Sequence, residues 1–164
     1  MKLVKSAGSA GSEGESEAAA VLLASRALIG VAARSLSVVE DKITLPQYRA
    51  LVLLGSRGEQ NVGALANALA IHPSTATRLC DRLESKGFIT RAPSPESRRE
   101  ITLNLAPAGA RLLRAVTTRR RTEIHEILDQ LSRDERRRLR AAFEVFGAAA
   151  GELPDDAWKL GWTS

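Results

Sequence analysis

Residues 71–105 combine an amphipathic helical pattern with two short runs of alternating side chains directly behind it, and few folds accommodate that order. The apolar positions of the helical part fall at Ala76, Leu79, Cys80 and Leu83. Their i, i+3, i+4, i+7 spacing collects them on one face of a helix. Pro73 suits the first helical turn, and Gly87 suits the position just past the end, where φ is often positive. We therefore predict a helix over about 73–86.

The flanking segments predict a helix-turn-helix with a β-hairpin behind it. Upstream, Asn61 is suited to cap a short helix, which a tight turn at 70–72 joins to the longer one. Downstream, residues 88–91 and 101–105 alternate as strands do, and prolines interrupt the run between them. The predicted fold class is therefore mainly α with a small β-hairpin wing, a winged helix-turn-helix.

The polar side chains of this unit are candidate DNA contacts. The second helix of such a motif enters the major groove, and basic side chains of the hairpin reach the minor groove. The candidate DNA-binding residues are Asn61, His72, Ser74, Thr75, Thr77, Arg78, Arg82, Arg98 and Arg99. Two interpretations of Arg78 are open, a bidentate contact to guanine and a phosphate contact. Ser74 is likewise either a DNA contact or only a helix cap.

Apolar stripes at both ends of the chain predict a homodimer. Helical patterns cover 18–41 and 107–150, and Ser132 is placed to cap the last helix. The winged unit, residues 45–105, is too small to cover these stripes, so they pack on one another or on a second copy. Two winged units related by a two-fold axis would bind an inverted repeat with half-sites about 10 bp apart.

Composition limits the partners and excludes several classes of protein. The 164 residues include 24 Lys and Arg against 19 Asp and Glu, a net charge of +5 that favours a polyanionic partner. A soluble protein with a charged surface would account for this charge equally well. One cysteine excludes an internal disulfide, and two histidines argue against a histidine-rich metal site. No enzyme motif is present, so we predict neither catalysis nor a cofactor.

The two ends of the chain lie outside the predicted domain. Residues 1–17 are rich in Gly, Ser, Ala and Glu and are predicted to be disordered, and 151–164 are predicted to form a C-terminal tail. No apolar signal segment follows the charged start, and the apolar run 18–33 is shorter than the roughly 20 residues that span a bilayer. We expect a cytoplasmic protein without a membrane partner.

Residues 45–109 resemble the multiple antibiotic resistance regulator (MarR) family of bacterial transcription factors. The similar segments are LPQYRALVLL, VGALANALAIHPSTATRLCDRLESKGFITR and SRREITLNLAPAG. Two positions depart from the family pattern: Ser97 replaces an aspartate before the wing arginines, and Ala106 replaces a threonine that caps the next helix. The resemblance implies one domain over 18–150 and a homodimeric repressor. It also implies that a small aromatic or phenolic ligand releases the repressor from double-stranded DNA.

Other functions stay open at this point. A winged helix can serve as a protein-interaction module, and a basic one can bind DNA without sequence preference. Cys80 suggests a redox sensor, but its place on the inner helix face favours a buried, unreactive thiol. Trp158 and Trp162 could pack on the dimer base or on a partner protein.

Overall fold

The computed structural model describes residues 7–39, 41–94, 100–154 and 157–158, with side chains from residue 14 onward. The described residues form six α-helices and one β-hairpin. In chain order these are α1 (Ala7–Leu36), α2 (Leu45–Arg57), α3 (Val62–Leu69), α4 (Pro73–Ser85), β1 (Ile89–Pro93), β2 (Ile101–Leu105), α5 (Pro107–Leu128) and α6 (Arg133–Ala149), with one turn of 3-10 helix at Ser37–Val39. The predicted fold class, mainly α with a β-hairpin wing, is confirmed.

One hydrophobic core joins the elements of the winged unit to α5. The largest fully buried side chains of this core include Leu51, Leu65, Leu83, Ile89, Leu103 and Leu113. They come from α2, α3, α4, β1, β2 and α5, one from each. Burying each of them stabilises the fold by about 1.5–3 kcal/mol. The orientation of α4 is therefore fixed by contacts with every neighbouring element.

The hairpin is antiparallel and is tied to the loop that precedes α3. Ile89 pairs with Leu105 at one end of the ladder, and Pro93 pairs with Ile101 at the other. Gln60 exchanges two backbone hydrogen bonds with Leu103, at 2.7 and 3.2 Å. The prediction that Pro93 interrupts the run was wrong, since it is the last residue of β1. The strand tolerates Pro93 because ladder hydrogen bonds alternate along it, and the next one comes from the Ser94 N–H to the Glu100 carbonyl.

Most helix ends follow the predicted capping chemistry. The Asn61 side chain accepts a hydrogen bond from the Ala64 N–H at 2.8 Å, and Ser132 forms a capping box with Glu135. Hydrogen bonds from the hydroxyl and backbone of Ser132 lower the pKa of Glu135. Gly87 has the expected positive φ of 71°. Ala106 precedes α5 without a side-chain cap, as its identity predicts.

Helix α1 is longer than predicted. It begins at Ala7, so residues 7–17, which were predicted to be disordered, are helical. Alanine and glutamate are strong helix formers, and a helix nucleated in the alanine-rich segment extends at little cost. Gly14–Val39 is long and apolar enough to cross a membrane. The expectation that the apolar run is too short to do so, which counted only 18–33, is therefore wrong. Core helices of soluble proteins also meet this criterion.

Helix α5 connects α1 to the winged unit through charged side chains. Arg34 of α1 pairs with the buried carboxylate of Glu123 at 2.8 Å. Arg120 donates a hydrogen bond to the Ser35 hydroxyl at 3.2 Å, and its guanidinium lies 5.5 Å from the centre of the Tyr48 ring in α2. Arg120 therefore contacts both a terminal helix and the winged unit.

The terminal helices expose a large apolar surface. No residue of α6, which is described throughout, is buried. A groove of about 670 Å³ lies between α1, α5 and α6, and its lining includes Leu28, Val31, Ile124, Ile127, Leu139 and Phe143. The exposed apolar side chains of α1 and α6 outside the groove include Leu22, Leu23, Ile29, Val145 and Phe146. A single copy of the chain thus leaves the predicted stripes largely uncovered.

Candidate nucleic-acid interface

Helix α4 has one buried face and one exposed face, as its sequence predicts. The buried side chains are those of Ala76, Leu79, Cys80 and Leu83. The exposed ones include Ser74, Thr75, Thr77, Arg78 and Arg82, five of the candidate DNA contacts. Because their backbone is held by the core on the opposite face, these side chains project from a fixed surface. The short polar side chain of Thr77 and the long basic side chain of Arg78 beside it suit contacts with base edges and phosphates.

His72 caps the start of α4. Its Nδ1 atom accepts a hydrogen bond from the Ser74 N–H at 3.3 Å and lies 2.9 Å from the Ser74 hydroxyl. Pro73 occupies the first helical position, so the cap falls on the residue before it. The interpretation of Ser74 as the helix cap is therefore wrong. When neutral with Nδ1 as the acceptor, His72 carries its proton on Nε2, which leaves a donor at the exposed end of the helix.

Two intrahelical hydrogen bonds orient the polar face. The Thr77 hydroxyl donates to the Pro73 carbonyl at 3.0 Å. Arg78 donates from Nε to the Ser74 carbonyl at 3.3 Å. This bond holds the Arg78 guanidinium near the first turn and leaves both of its Nη groups for other contacts. The first turn is the part of a recognition helix that approaches base edges.

Arg91 is a part of this surface that the sequence interpretation missed. Its guanidinium contacts Asp81 and Glu84 of α4, each at 2.6 Å, and this hydrogen bond with Asp81 raises the pKa of Arg91. A free carboxylate at Asp81 would repel phosphates, and the guanidinium compensates that charge. Strand alternation could have placed Arg91 beside the buried Ile89, on the side of β1 that faces α4.

The other three candidate DNA contacts, Asn61, Arg98 and Arg99, lie outside α4 in the sequence. Asn61 is exposed, but its carbonyl oxygen is committed to the cap of α3. The base of the wing is closed by a hydrogen bond from the Ser94 N–H to the Glu100 carbonyl at 2.8 Å. Arg98 and Arg99, with the Ser97 that departs from the family pattern, lie outside the described residues. Within the described residues no cluster of His, Cys, Asp or Glu could hold a metal ion.

Cys80 is fully buried under the polar face of α4, and burial raises the pKa of its thiol. A higher pKa leaves less thiolate at neutral pH, and the thiolate is the species that reacts. We expect Ellman's reagent to modify Cys80 slowly at pH 8 in the native protein and at once after unfolding in urea. Rapid modification of the native protein would contradict the buried position and reopen the redox interpretation.

Comparison with known proteins gives concordant results. A model of the MarR family matches residues 43–101. The uncharacterized HTH-type transcriptional regulator Mb0904 of Mycobacterium bovis is 34% identical over 112 residues, which cover 68% of this chain and 78% of the relative.

Solved structures agree with these sequence matches. RV1404 from Mycobacterium tuberculosis is 40% identical, with a TM-score of 0.79, over 85% of this chain and 95% of that chain. A MepR mutant from S. aureus, bound to an oligodeoxyribonucleotide, is 21% identical and shares the fold. Its TM-score is 0.59, over 82% of this chain and 97% of that chain.

Proposed function

The chain belongs to the MarR family of transcriptional regulators, and we propose that it is a homodimeric repressor that binds an inverted-repeat operator and is released by a small ligand. Its proposed location is the cytoplasm, with double-stranded DNA as its partner and no cofactor. The observation that carries this proposal is the exposed polar face at the start of α4. That face presents arginine, serine and threonine from a backbone that the core holds rigidly.

Base contacts are assigned to the first turns of α4. Arg78 is the proposed base-reading residue, because a guanidinium can donate two parallel hydrogen bonds to guanine O6 and N7. Ser74, Thr75 and Thr77 lie beside it and suit base or phosphate contacts. Arg82, one turn farther along, and the Nε2 donor of His72 suit phosphates. Arg98 and Arg99 are proposed to contact the minor groove from the wing.

A second copy of the chain is the proposed occupant of the apolar surface on the terminal helices. Exposed apolar patches of this extent are rare on monomeric proteins. Phe143 is 39% exposed and Leu28 is 44% exposed in the single chain, although both line the groove between α1, α5 and α6. A two-fold dimer formed through these helices would place two copies of α4 on successive major grooves.

A second cavity suits the proposed effector. It measures about 330 Å³ and lies where the end of α1 and the start of α5 meet the winged unit. Lys42 and Arg111 provide positive charge beside the Phe88 ring and the Leu112 side chain. A single-ring aromatic acid or phenolate combines the matching features, an apolar ring and an anionic group. A ligand bound there would shift the winged unit relative to the terminal helices and so favour the DNA-free state.

Two other functions make different predictions. A protein-interaction module would show no affinity for DNA, and an architectural binder would be displaced equally by any duplex. The polar face of α4 favours sequence-specific binding over both, because it carries several side chains that can form directional hydrogen bonds. The MepR mutant bound to an oligodeoxyribonucleotide supports DNA as the partner of this fold.

Fluorescence anisotropy on the intergenic duplex upstream of the gene, with scrambled duplex as competitor, tests this function. We expect specific binding by the wild type. Arg78→Ala should lose about 1–3 kcal/mol of binding free energy and discriminate less well at one base pair. Arg138→Ala is the matched control, because this exposed arginine lies on α6, outside the winged unit.

A salt series separates the competing functions. A protein that binds specifically should stay on the labelled duplex in the presence of scrambled competitor as salt increases. A nonspecific binder should be displaced by the scrambled competitor at every salt concentration. Equal displacement by unlabelled intergenic duplex and by scrambled duplex would indicate a nonspecific DNA binder. Absence of binding at low salt would favour a protein-interaction module. Equal effects of Arg78→Ala and Arg138→Ala would reject the assignment of Arg78.

A further inference from the structure

The chain beyond α6 turns back to the winged unit. Helix α6 ends at Ala149, and Gly151 adopts a φ of 75°. The Gly151 N–H donates to the Ala148 carbonyl and the Glu152 N–H to the Gly147 carbonyl, both at 3.0 Å. This pattern of backbone hydrogen bonds ends a helix with a defined change of direction, so the following residues leave α6 along a fixed path.

These following residues contact α2 and the core. The Glu152 carboxylate lies 3.5 Å from the guanidinium of Arg49 in α2. Trp158 is half-buried and packs against the main hydrophobic core, to which α2 contributes Tyr48 and Leu51. Its indole N–H donates to the Leu153 carbonyl at 3.2 Å, which joins Trp158 to the residue that follows Glu152. We call the described residues 152–154 and 157–158 the strap.

The indole is the stronger of the two anchors. The ion pair between Arg49 and Glu152 is exposed on both sides and therefore contributes little by itself. A tryptophan ring buries much more apolar surface than any other side chain of the strap, and its N–H is satisfied within the strap. Trp158 should therefore determine whether the strap stays docked.

The strap gives α6 a second connection to the winged unit. Helix α6 follows α5 in the chain and contributes no buried residue in the single copy. Its first end is held by the turn after α5, through the Ser132 cap and the contacts of Arg136 with Asp129 and the Leu131 carbonyl. Its last end is held by the strap on α2. A helix fixed at both ends transmits a change in its position, whereas one fixed at a single end can pivot.

We infer that the strap, through Trp158 and Arg49, sets the position of the winged unit relative to α6 and thereby the distance between the two DNA-binding surfaces of the dimer. This inference rests on the proposed function. Trp158 and Arg49 act as positioning residues, since neither lies on the polar face of α4. A loosened strap should leave each half-site contact intact but make the dimer less selective for half-site spacing.

Binding to two operator duplexes tests this role. One duplex has the natural half-site spacing, and in the other the spacing is increased by 2 bp. The wild type should bind the second duplex at least about tenfold more weakly, the cost of losing the contacts of one base pair. Trp158→Ala should reduce that factor towards unity, Trp158→Phe should largely restore it, and Arg49→Ala should have a smaller effect of the same sign. Arg137→Ala is the control for Arg49, because its ion pair with Asp134 lies within α6.

A second measurement examines docking without DNA. The chain has two tryptophans, so Trp162→Phe leaves Trp158 as the single emitter. We expect its emission to be shielded from acrylamide in the native protein and accessible after unfolding. Full accessibility in the native protein, or equal spacing dependence in the wild type and Trp158→Ala, overturns the role of the strap. Absence of any specific binding by the wild type would instead overturn the proposed function, and the role of the strap with it.

Discussion

Gly109→Ala is expected to destabilise the protein severely. A Cβ atom at this position would overlap the Phe88 carbonyl oxygen and would lie 2.8 Å from Leu105 Cδ1. The Phe88 oxygen cannot retreat easily, because it accepts the hydrogen bond from the Ala106 N–H at 3.0 Å that joins β1 to the start of α5. The expected loss in the free energy of unfolding is about 3 kcal/mol, at the upper end of overpacking costs. Urea unfolding monitored by circular dichroism measures it.

Gly147→Ala is the matched control for this prediction. Gly147 also lies within a helix, but a Cβ atom there would meet no atom within 4 Å. Alanine at this position should be neutral or should stabilise the protein by up to about 1 kcal/mol, the difference in helix propensity. Equal midpoints for the wild type and Gly109→Ala would show that α5 and the hairpin do not approach each other as closely as this structure has them.

The features that were predicted correctly depend on nearby residues in the sequence. Asn61 and Ser132 cap helices that begin immediately after them, and the inner face of α4 follows from a periodicity within one helix. Such patterns are visible because the interacting groups lie three or four positions apart. One of the two open interpretations of Ser74, that of a helix cap, was wrong for a local reason, since Pro73 takes the first helical position and His72 is the cap.

The features that were missed depend on contacts between distant segments. Arg91 meets Asp81 and Glu84 only after β1 has folded back along α4, and sequence spacing does not reveal which acidic side chains it selects. The contact of Arg49 with Glu152 joins residues 103 positions apart. Long basic side chains have several acidic neighbours in such a chain, and the tertiary fold decides among them. The candidate site could therefore be predicted as a surface, but not its internal ion pairs.

Phe143→Glu is expected to convert the proposed dimer into a monomer and to abolish operator binding at physiological salt. The side chain lines the apolar groove between α1, α5 and α6, so a carboxylate there would be desolvated once a second copy docks. The two arginines of the groove, Arg136 and Arg140, already pair with Asp129 and Glu144. Desolvating that charge costs several kcal/mol, which is enough to shift dimerisation into an inaccessible concentration range. Sedimentation equilibrium should give the mass of one chain for this variant and the mass of two chains for the wild type.

Loss of the dimer should affect DNA binding more than any single contact on α4. In the dimer, binding of the first winged unit places the second at a high effective concentration, which can raise affinity by about 10²–10⁴. Gln130→Glu introduces the same charge at an exposed position between α5 and α6, away from the groove, and should leave mass and affinity unchanged. Monomers with full operator affinity would reject the inverted-repeat mechanism but retain the winged helix as a DNA-binding unit. A Phe143→Glu protein that remains dimeric would place the interface elsewhere on the chain.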